Sequence, residues 1–292
     1  MTDEDAFGAI QDIGVGIVVG EGKRQTAAQY SLAGPKEVRT FLQNLASLAE
    51  KHTARGSWVF SYDSFDPGEE KLREALCTVG NGYFASRGAA PEAEADETHY
   101  PGTYVAGCYN RLQTEISGRA VENESLVNLP NWLPLTFQQG DGAWFRLSEV
   151  EILKYRQELD LQRGVLSRIV RFRDEAGRIT GLVQRRFVSM ADRHLAGLQT
   201  TIVPENWSGT LRIRSALDGR VANTGVERYL RLSHHHLNHL DSRQVADDTL
   251  LLEVETSQSH IRIAQACRTR VYQNDKPAAM SPVNVLEPFY VC

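Results

Sequence analysis

Residues 165–190 read Val165-Leu166-Ser167-Arg168-Ile169-Val170-Arg171-Phe172-Arg173, then Asp174-Glu175-Ala176-Gly177, then Arg178-Ile179-Thr180-Gly181-Leu182-Val183-Gln184-Arg185-Arg186-Phe187-Val188-Ser189-Met190. Two β-type segments flank a short glycine-bearing turn, which predicts a hairpin. The same grammar continues outward. Leu195 to Val203 and Thr210 to Leu217 enclose the turn cluster Pro204-Glu205-Asn206-Trp207-Ser208-Gly209, and Leu250 to Glu255 pairs with His260 to Ala266. Helical periodicity is weak from Trp58 onward, and no internal repeat of fixed period is visible. Serial antiparallel strands over about 235 residues predict a mainly β chain, a large sandwich or barrel. Ala89 to Thr98 is acidic and of low complexity, and reads as a surface loop.

The first fifty residues read differently. Ile13-Gly14-Val15-Gly16-Ile17-Val18-Val19 is a nearly continuous apolar run, suited to a strand covered on both faces as in a parallel sheet. A second short strand is predicted over Thr26 to Leu32, and Gly34-Pro35 opens a helix with proline in its first turn. Val38, Phe41, Leu42, Leu45, Leu48 and Ala49 give that helix one apolar face. Two strands and a helix bury too little apolar surface to offset a backbone entropy of about 1–2 kcal/mol per residue. The piece is therefore expected to be the end of a larger domain.

The chain has 292 residues, 41% hydrophobic and 24% charged, with a net charge of −5. This is the balance of an ordinary soluble protein. The negative charge and scattered arginines argue against nucleic acid as a partner. No apolar run approaches the roughly 18 residues of a membrane helix. Thr2-Asp3-Glu4-Asp5 stands where a signal peptide would be apolar. Cys77, Cys108, Cys267 and Cys292 form no C-x-x-C pair, so reduced thiols and a cytoplasmic location are expected.

Thr2-Asp3-Glu4-Asp5-Ala6-Phe7 resembles the tail of the acidic motif Gly-Asp-Asp-x-Thr-Asp-Glu-Asp-Ala-Phe of trehalose-6-phosphate phosphatases, in the haloacid-dehalogenase superfamily. The Ile13–Val19 run, Thr26-Ala27 and Glu37-Val38 with Phe41-Leu42 resemble that family's closing segment. The resemblance implies a nucleophilic aspartate and magnesium ligands upstream of Met1, so Asp3 and Asp5 are expected to be remnants of a site. Magnesium belongs only to an intact phosphatase domain. No cofactor, bound metal or catalytic residue is expected in this chain.

A second resemblance covers residues 58–292. Gly80-Asn81-Gly82-Tyr83-Phe84 with Arg87-Gly88, Pro101-Gly102-Thr103-Tyr104-Val105-Ala106-Gly107 with Tyr109-Asn110, and Leu126-Val127-Asn128-Leu129-Pro130-Asn131-Trp132 carry it. Leu159-Asp160-Leu161 with Gly164-Val165-Leu166, Arg185-Arg186-Phe187-Val188-Ser189, and Ser215-Ala216-Leu217-Asp218-Gly219-Arg220-Val221 follow in order. This part is similar to the N-terminal domain of glycoside hydrolase family 65, which contains maltose, trehalose and kojibiose phosphorylases and some hydrolases. The resemblance implies a galactose-mutarotase-like antiparallel β-supersandwich. It also implies a catalytic (α/α)6 barrel as its missing partner, with the general-acid glutamate and the phosphate-binding loop. The expected organisation is a phosphatase-like remnant over 1–52, a linker over 53–57 and the sandwich over 58–292. The expected function is a non-catalytic domain of disaccharide metabolism that partly walls the barrel's site for a disaccharide or sugar phosphate and supports a homodimer. An active trehalose phosphatase or glycoside hydrolase, a sandwich-fold sugar epimerase and a stand-alone carbohydrate-binding module are the alternatives.

His234-His235-His236 with His239 offers an i, i+4 spacing used by zinc sites, but lacks the neighbouring glutamate and reads as a surface run in a loop or short helix. Glu122, Glu124, Glu151 and Glu158 have the residue type of glycosidic acids and bases, and read as solvated carboxylates. Gly80-Asn81-Gly82 lacks a phosphate-loop pattern and predicts a tight turn. Aromatic rings beside amides make sugar-binding surfaces, so Tyr100, Tyr104, Asn131 and Trp132 are the candidate sugar-site wall. Trp58, Trp144 and Trp207 lie in or beside strand segments and are expected in the core or at sheet edges.

Overall fold

The computed structural model describes residue 7 and residues 16–20, 26–51, 58–116, 118–224, 233–278 and 285–292, apart from the side chains of 44–51 and 116. The chain divides into two compact units, Met1–Trp58 and Val59–Cys292. In the first, β1 (Ile17–Val19) and β2 (Tyr30–Leu32) pair in parallel, with Val18 opposite Ser31. α1 (Pro35–Lys51) starts at proline, whose missing N–H costs nothing there. Glu37 in its first turn accepts a hydrogen bond from the Ala33 amide at 2.7 Å, on the helix end where a carboxylate is favoured. Val19, Tyr30 and Leu42 are exposed. Residues 13–15 of the predicted first strand, and Asp3 and Asp5, lie outside the described residues.

The second unit opens with β3 (Val59–Tyr62), α2 (Glu70–Leu76), β4 (Val79–Gly80), β5 (Phe84–Ser86) and β6 (Thr103–Val105). β7 (Tyr109–Ile116) and β8 (Arg119–Leu126) form a hairpin, followed by β9 (Leu135–Gln139). β10 (Glu151–Asp160), β11 (Val165–Arg173), β12 (Ile179–Val188) and β13 (Ala196–Pro204) join β3 in a five-stranded sheet of order β13-β12-β11-β10-β3. β14 (Leu211–Ser215) pairs with β9 and leads into β15 (Leu217–Asp218). β16 (Leu237–Ala246), β17 (Thr249–Thr256) and β18 (Arg262–Arg268) form a three-stranded sheet. β19 (Tyr272–Gln273) pairs with β20 (Lys276–Pro277), while β21 (Leu286–Glu287) and β22 (Tyr290–Val291) join β15. Every described pairing in this unit is antiparallel. The mainly β, antiparallel sandwich read from the serial strands is the architecture observed, and the hairpin of residues 165–190 is its centre.

Along β11, Leu166, Arg168, Val170 and Phe172 point inward, while Ile169, Arg171 and Arg173 are exposed. Register turns this alternation into rows across strands. Tyr155, Val170 and Leu182 make one row, Gln157, Arg168 and Gln184 the next, and Leu159, Leu166 and Arg186 the third. The first row belongs to an aromatic cluster with Phe137, Phe145 and Phe172, whose closest rings are 4.7 Å apart. The second row is polar and buried.

Two expectations need correction. Weak helical periodicity hid α2, because its inward face is made of Glu70 and Glu74 while Leu72 and Leu76 are exposed. An apolar stripe is the usual mark of a packed helix, and here it is inverted. The acidic stretch Ala89 to Thr98 is a surface loop only over Glu94, Ala95, Asp96 and Glu97. Ala89 and Pro91 are buried, and the Glu92 carboxylate is 4% exposed because it is the counter-ion of Arg168. Among the described residues, no helix is long and apolar enough to cross a membrane.

Candidate functional site

A groove of about 860 Å³ opens on the second unit. Its walls come from α2, the loop from Arg87 to Pro101, the segment from Asn128 to Thr136, the stretch from Arg214 to Thr224, and Tyr290. Each wall is anchored locally. Gly88 lets the loop lie directly on α2, since a Cβ there would sit 2.7 Å from the Cys77 Cβ. The Gly88 amide donates to the Glu74 carbonyl at 2.6 Å. The Asn128 Oδ1 accepts from the Thr103 amide at 3.0 Å, and Asn131 and Asp218 exchange backbone hydrogen bonds of 2.7 and 2.9 Å. The Tyr100 hydroxyl donates to the Ala222 carbonyl at 3.1 Å.

At the α2 end, the Glu74 Oε1 lies 2.8 Å from the His99 Nδ1, and its Oε2 accepts from the Tyr100 amide at 2.8 Å. Burial alone would lower the His99 pKa, yet the hydrogen bond and charge of Glu74, with Asp96 and Glu70, raise it above the ordinary histidine value. Burial raises the Glu70 carboxyl as well. The Arg87 guanidinium donates to the Tyr100 and Lys71 carbonyls at 2.8 and 2.7 Å and lies 5.1 Å from the Tyr100 ring centre. At the other end, Arg220 grips Asp218 through bonds of 2.8 and 2.7 Å and covers Tyr290 at 4.4 Å. Burial, with Cys292 beside it, pushes the Tyr290 phenol up to about 12. Arg214 covers the Trp144 ring at 4.0 Å. Rings backed by guanidiniums, beside amides and carboxylates, suit the apolar faces and hydroxyls of sugars.

Of the four predicted wall residues, Tyr100 and Asn131 line this groove. Tyr104 lies behind it, hydrogen-bonded to Tyr100, and burial raises its phenol. Trp132 is turned toward the sheet, its indole N–H donating to the Ser86 Oγ at 3.2 Å and its ring 6.3 Å from Phe84. Sequence reasoning missed Glu74, His99, Arg214 and Tyr290. Arg87, Asp218 and Arg220 were within recognisable motifs, but nothing in their spacing marked them as groove residues.

The other candidates are scattered. His234 and His235 precede β16 without a helix, and His239 is within that strand, so the i, i+4 face does not form. His236 is 2% exposed rather than on the surface. It faces the Asn110 Nδ2 at 3.1 Å, and burial with its two histidine neighbours lowers its pKa to about 4. Among the described residues, no group of three or more histidine, cysteine, aspartate or glutamate side chains is placed to hold a metal. Glu122 and Glu124 lie 3.5 and 3.6 Å from Arg111, Glu151 pairs with Arg173, and Glu158 with Arg156. Asn81 closes a turn by accepting from the Tyr83 and Phe84 amides, with Gly82 at φ +83°. Trp207 donates to the Thr180 Oγ1 at 3.0 Å, and Trp58 is exposed.

The profile of glycosyl hydrolase family 65, N-terminal domain, matches residues 60–287. The chain belongs to glycosyl hydrolase family 65. An uncharacterized glycosyl hydrolase of Mycobacterium tuberculosis is 51% identical over 278 residues, 94% of this chain and 21% of that protein. The kojibiose phosphorylase of Halothermothrix orenii is 34% identical over 205 residues, 70% of this chain and 24% of the enzyme. The trehalose 6-phosphate phosphorylase of Lactococcus lactis is 31% identical over 209 residues, 71% of this chain and 26% of the enzyme. A solved structure described as a kojibiose phosphorylase from human microbiome superposes with a TM-score of 0.67 at 17% identity, over 80% of this chain and 29% of that one. The chain thus spans about a fifth to a quarter of the length of its family 65 relatives.

Proposed function

We propose that residues 59–292 are the non-catalytic sandwich domain of a family 65 disaccharide phosphorylase or hydrolase. In this reading the groove forms one wall of a sugar site that an (α/α)6 barrel completes, and the sandwich supports dimerisation of the whole enzyme. The observation that carries the reading is the family match over residues 60–287 together with a groove of aromatic, amide and guanidinium groups. The groove's charged pairs, Glu74 with His99 and Asp218 with Arg220, are committed to holding its walls. Names of relatives that act on kojibiose and trehalose 6-phosphate support a disaccharide or its phosphate as the ligand class.

The first unit is proposed to be the closing segment of a trehalose-phosphatase-like domain, on the strength of Thr2–Phe7 and the parallel pair β1–β2. The Mycobacterium tuberculosis match covers 94% of the chain, more than residues 59–292 alone supply, so it runs into this unit. Four free cysteines support work in the cytoplasm. The test is turnover by the purified chain, with kojibiose, maltose or trehalose plus phosphate, and with trehalose 6-phosphate. No product above a blank is expected from either set, and turnover of one would overturn the non-catalytic reading.

A further inference from the structure

One guanidinium of the groove has no counter-ion. Arg214 lines the groove from β14, opposite Thr136 of β9, and is half-buried. It covers the Trp144 ring at 4.0 Å, and Trp144 does not itself line the groove, so the indole backs the guanidinium. Stacking uses one face of a guanidinium and none of its N–H groups, which lie in its plane. Among the described residues, no acceptor lies within hydrogen-bond distance of those N–H groups, and no carboxylate lies within 4.0 Å. The carboxylates of this end are engaged elsewhere. Both Asp218 oxygens are taken by Arg220, Glu94 lies 3.7 Å from Arg146, and Asp141 lies 3.5 Å from Arg212. Farther along the loop, Glu92 pairs with Arg168, and Asp96 accepts from the Thr98 and His99 amides.

The same end offers contacts for a sugar. Asn131, Asp218 and Tyr290 stand directly opposite one another on three neighbouring segments, so their side chains share one face. The Arg214 charge acts on the Tyr290 phenol, which places those two side chains together. The Asn131 Oδ1 accepts from the Leu133 amide at 3.1 Å, while its Nδ2 has no partner among the described residues. An amide donor beside an aromatic ring suits the hydroxyls and apolar face of a sugar. A neutral sugar would leave the Arg214 charge uncompensated. Two oxygens of a phosphate match the planar fork of a guanidinium and supply the missing charge.

We propose that Arg214 is an anion subsite of the groove and that the ligand is a phosphate monoester of a sugar, with its phosphate on the Arg214 N–H groups and its ring beside Asn131 and Tyr290. This rests on the reading of the groove as a sugar site, and narrows it from sugars in general to phosphorylated ones. The groove's volume of about 860 Å³ is within the range of pockets that take ligands of this size.

The experiment is isothermal titration calorimetry of the whole chain with trehalose 6-phosphate, trehalose and inorganic phosphate at one ionic strength. Trehalose 6-phosphate is expected to bind at least about tenfold more tightly than either of the other two, as a charge-assisted contact added to the sugar's own requires. Arg214→Gln should bring trehalose 6-phosphate down to the affinity of trehalose and leave trehalose itself unchanged. Arg111→Gln, the same charge change on the β7–β8 hairpin, should alter neither. Equal affinity of the unaltered protein for trehalose 6-phosphate and trehalose would overturn the phosphate subsite and leave the sugar groove standing. Inorganic phosphate as tight as trehalose 6-phosphate would overturn the sugar ester as ligand, and a preference that survives Arg214→Gln would overturn the role of Arg214. No binding of any of the three would overturn this inference and the sugar groove together. Should Arg214→Gln fail to fold, the three affinities of the unaltered protein decide alone.

Discussion

The inner face of one sheet carries two contrasting regions a single row apart. The row of Tyr155, Val170 and Leu182 closes on stacked phenylalanines, while the row of Gln157, Arg168 and Gln184 closes on the Glu92 carboxylate from a loop. The apolar row needs only volume and shape, which many neighbours could supply. The polar positions need named partners: Glu92 for Arg168 in the polar row, the Ala89 carbonyl for Arg186 in the row beside it, and Glu74 for the His99 that the same loop carries. A buried charge is tolerable only when its partner is delivered in the right place, so the polar row pins the groove's loop to the sheet.

The sharpest way to break this contrast is to injure each region in turn. Phe172→Ala should cost about 3–5 kcal/mol through the cavity it leaves. Glu92→Gln should cost about as much, 3–5 kcal/mol, by leaving Arg168 buried without its ion pair. Chemical denaturation measures both. The regions then separate: adding Arg168→Met to Glu92→Leu should recover at least half of the loss, whereas no single distant change should rescue Phe172→Ala. A double variant no better than Glu92→Gln would mean that the pair is not what the polar row depends on.

Two histidines sharpen the comparison by pH, with opposite signs. The His99 pKa is raised in the folded state by Glu74, so its contribution is full below the unfolded value and is lost as pH rises through the folded one. His99→Ala should therefore cost about 1.5–3 kcal/mol at low pH and less on the alkaline side. His236 is lowered to about 4, so it favours the folded state above the unfolded value of about 6.5 and loses that contribution as pH falls toward 4. Replacing it with asparagine should flatten a loss of about 3 kcal/mol between those values. Stability curves from pH 4 to 9 for the two variants would show opposite limbs changed. The smallest effect is expected at the exposed pair Arg111 and Glu122, where Glu122→Gln should shift stability by less than about 0.5 kcal/mol.

Legibility followed the kind of side chain that faces inward. β11 was readable to the residue, because most of its inward positions are apolar and its turn carries glycine. α2 was invisible, because carboxylates occupy its buried face. Half of the predicted sugar wall, Tyr100 and Asn131, lines the groove, whereas Tyr104 and Trp132 share the same motifs but face elsewhere. Residue type named all four equally, since side-chain direction in a loop depends on neighbours distant in the chain. Trp132 illustrates this: its indole hydrogen is taken by Ser86.

Alternation, turns and family motifs, all local in the chain, determined from sequence that most of the chain forms an antiparallel sandwich of family 65 type. Local patterns suffice there because strand periodicity and glycine-bearing turns are properties of a few neighbouring residues. Only the tertiary structure decided which charges are buried, which acidic residue leaves the surface to meet Arg168, and which walls meet in a groove. Those are pairings across long separations, such as Glu92 with Arg168 and Asn131 with Asp218. Their energies arise from desolvation and geometry at the meeting point, and no stretch of chain carries that meeting point by itself.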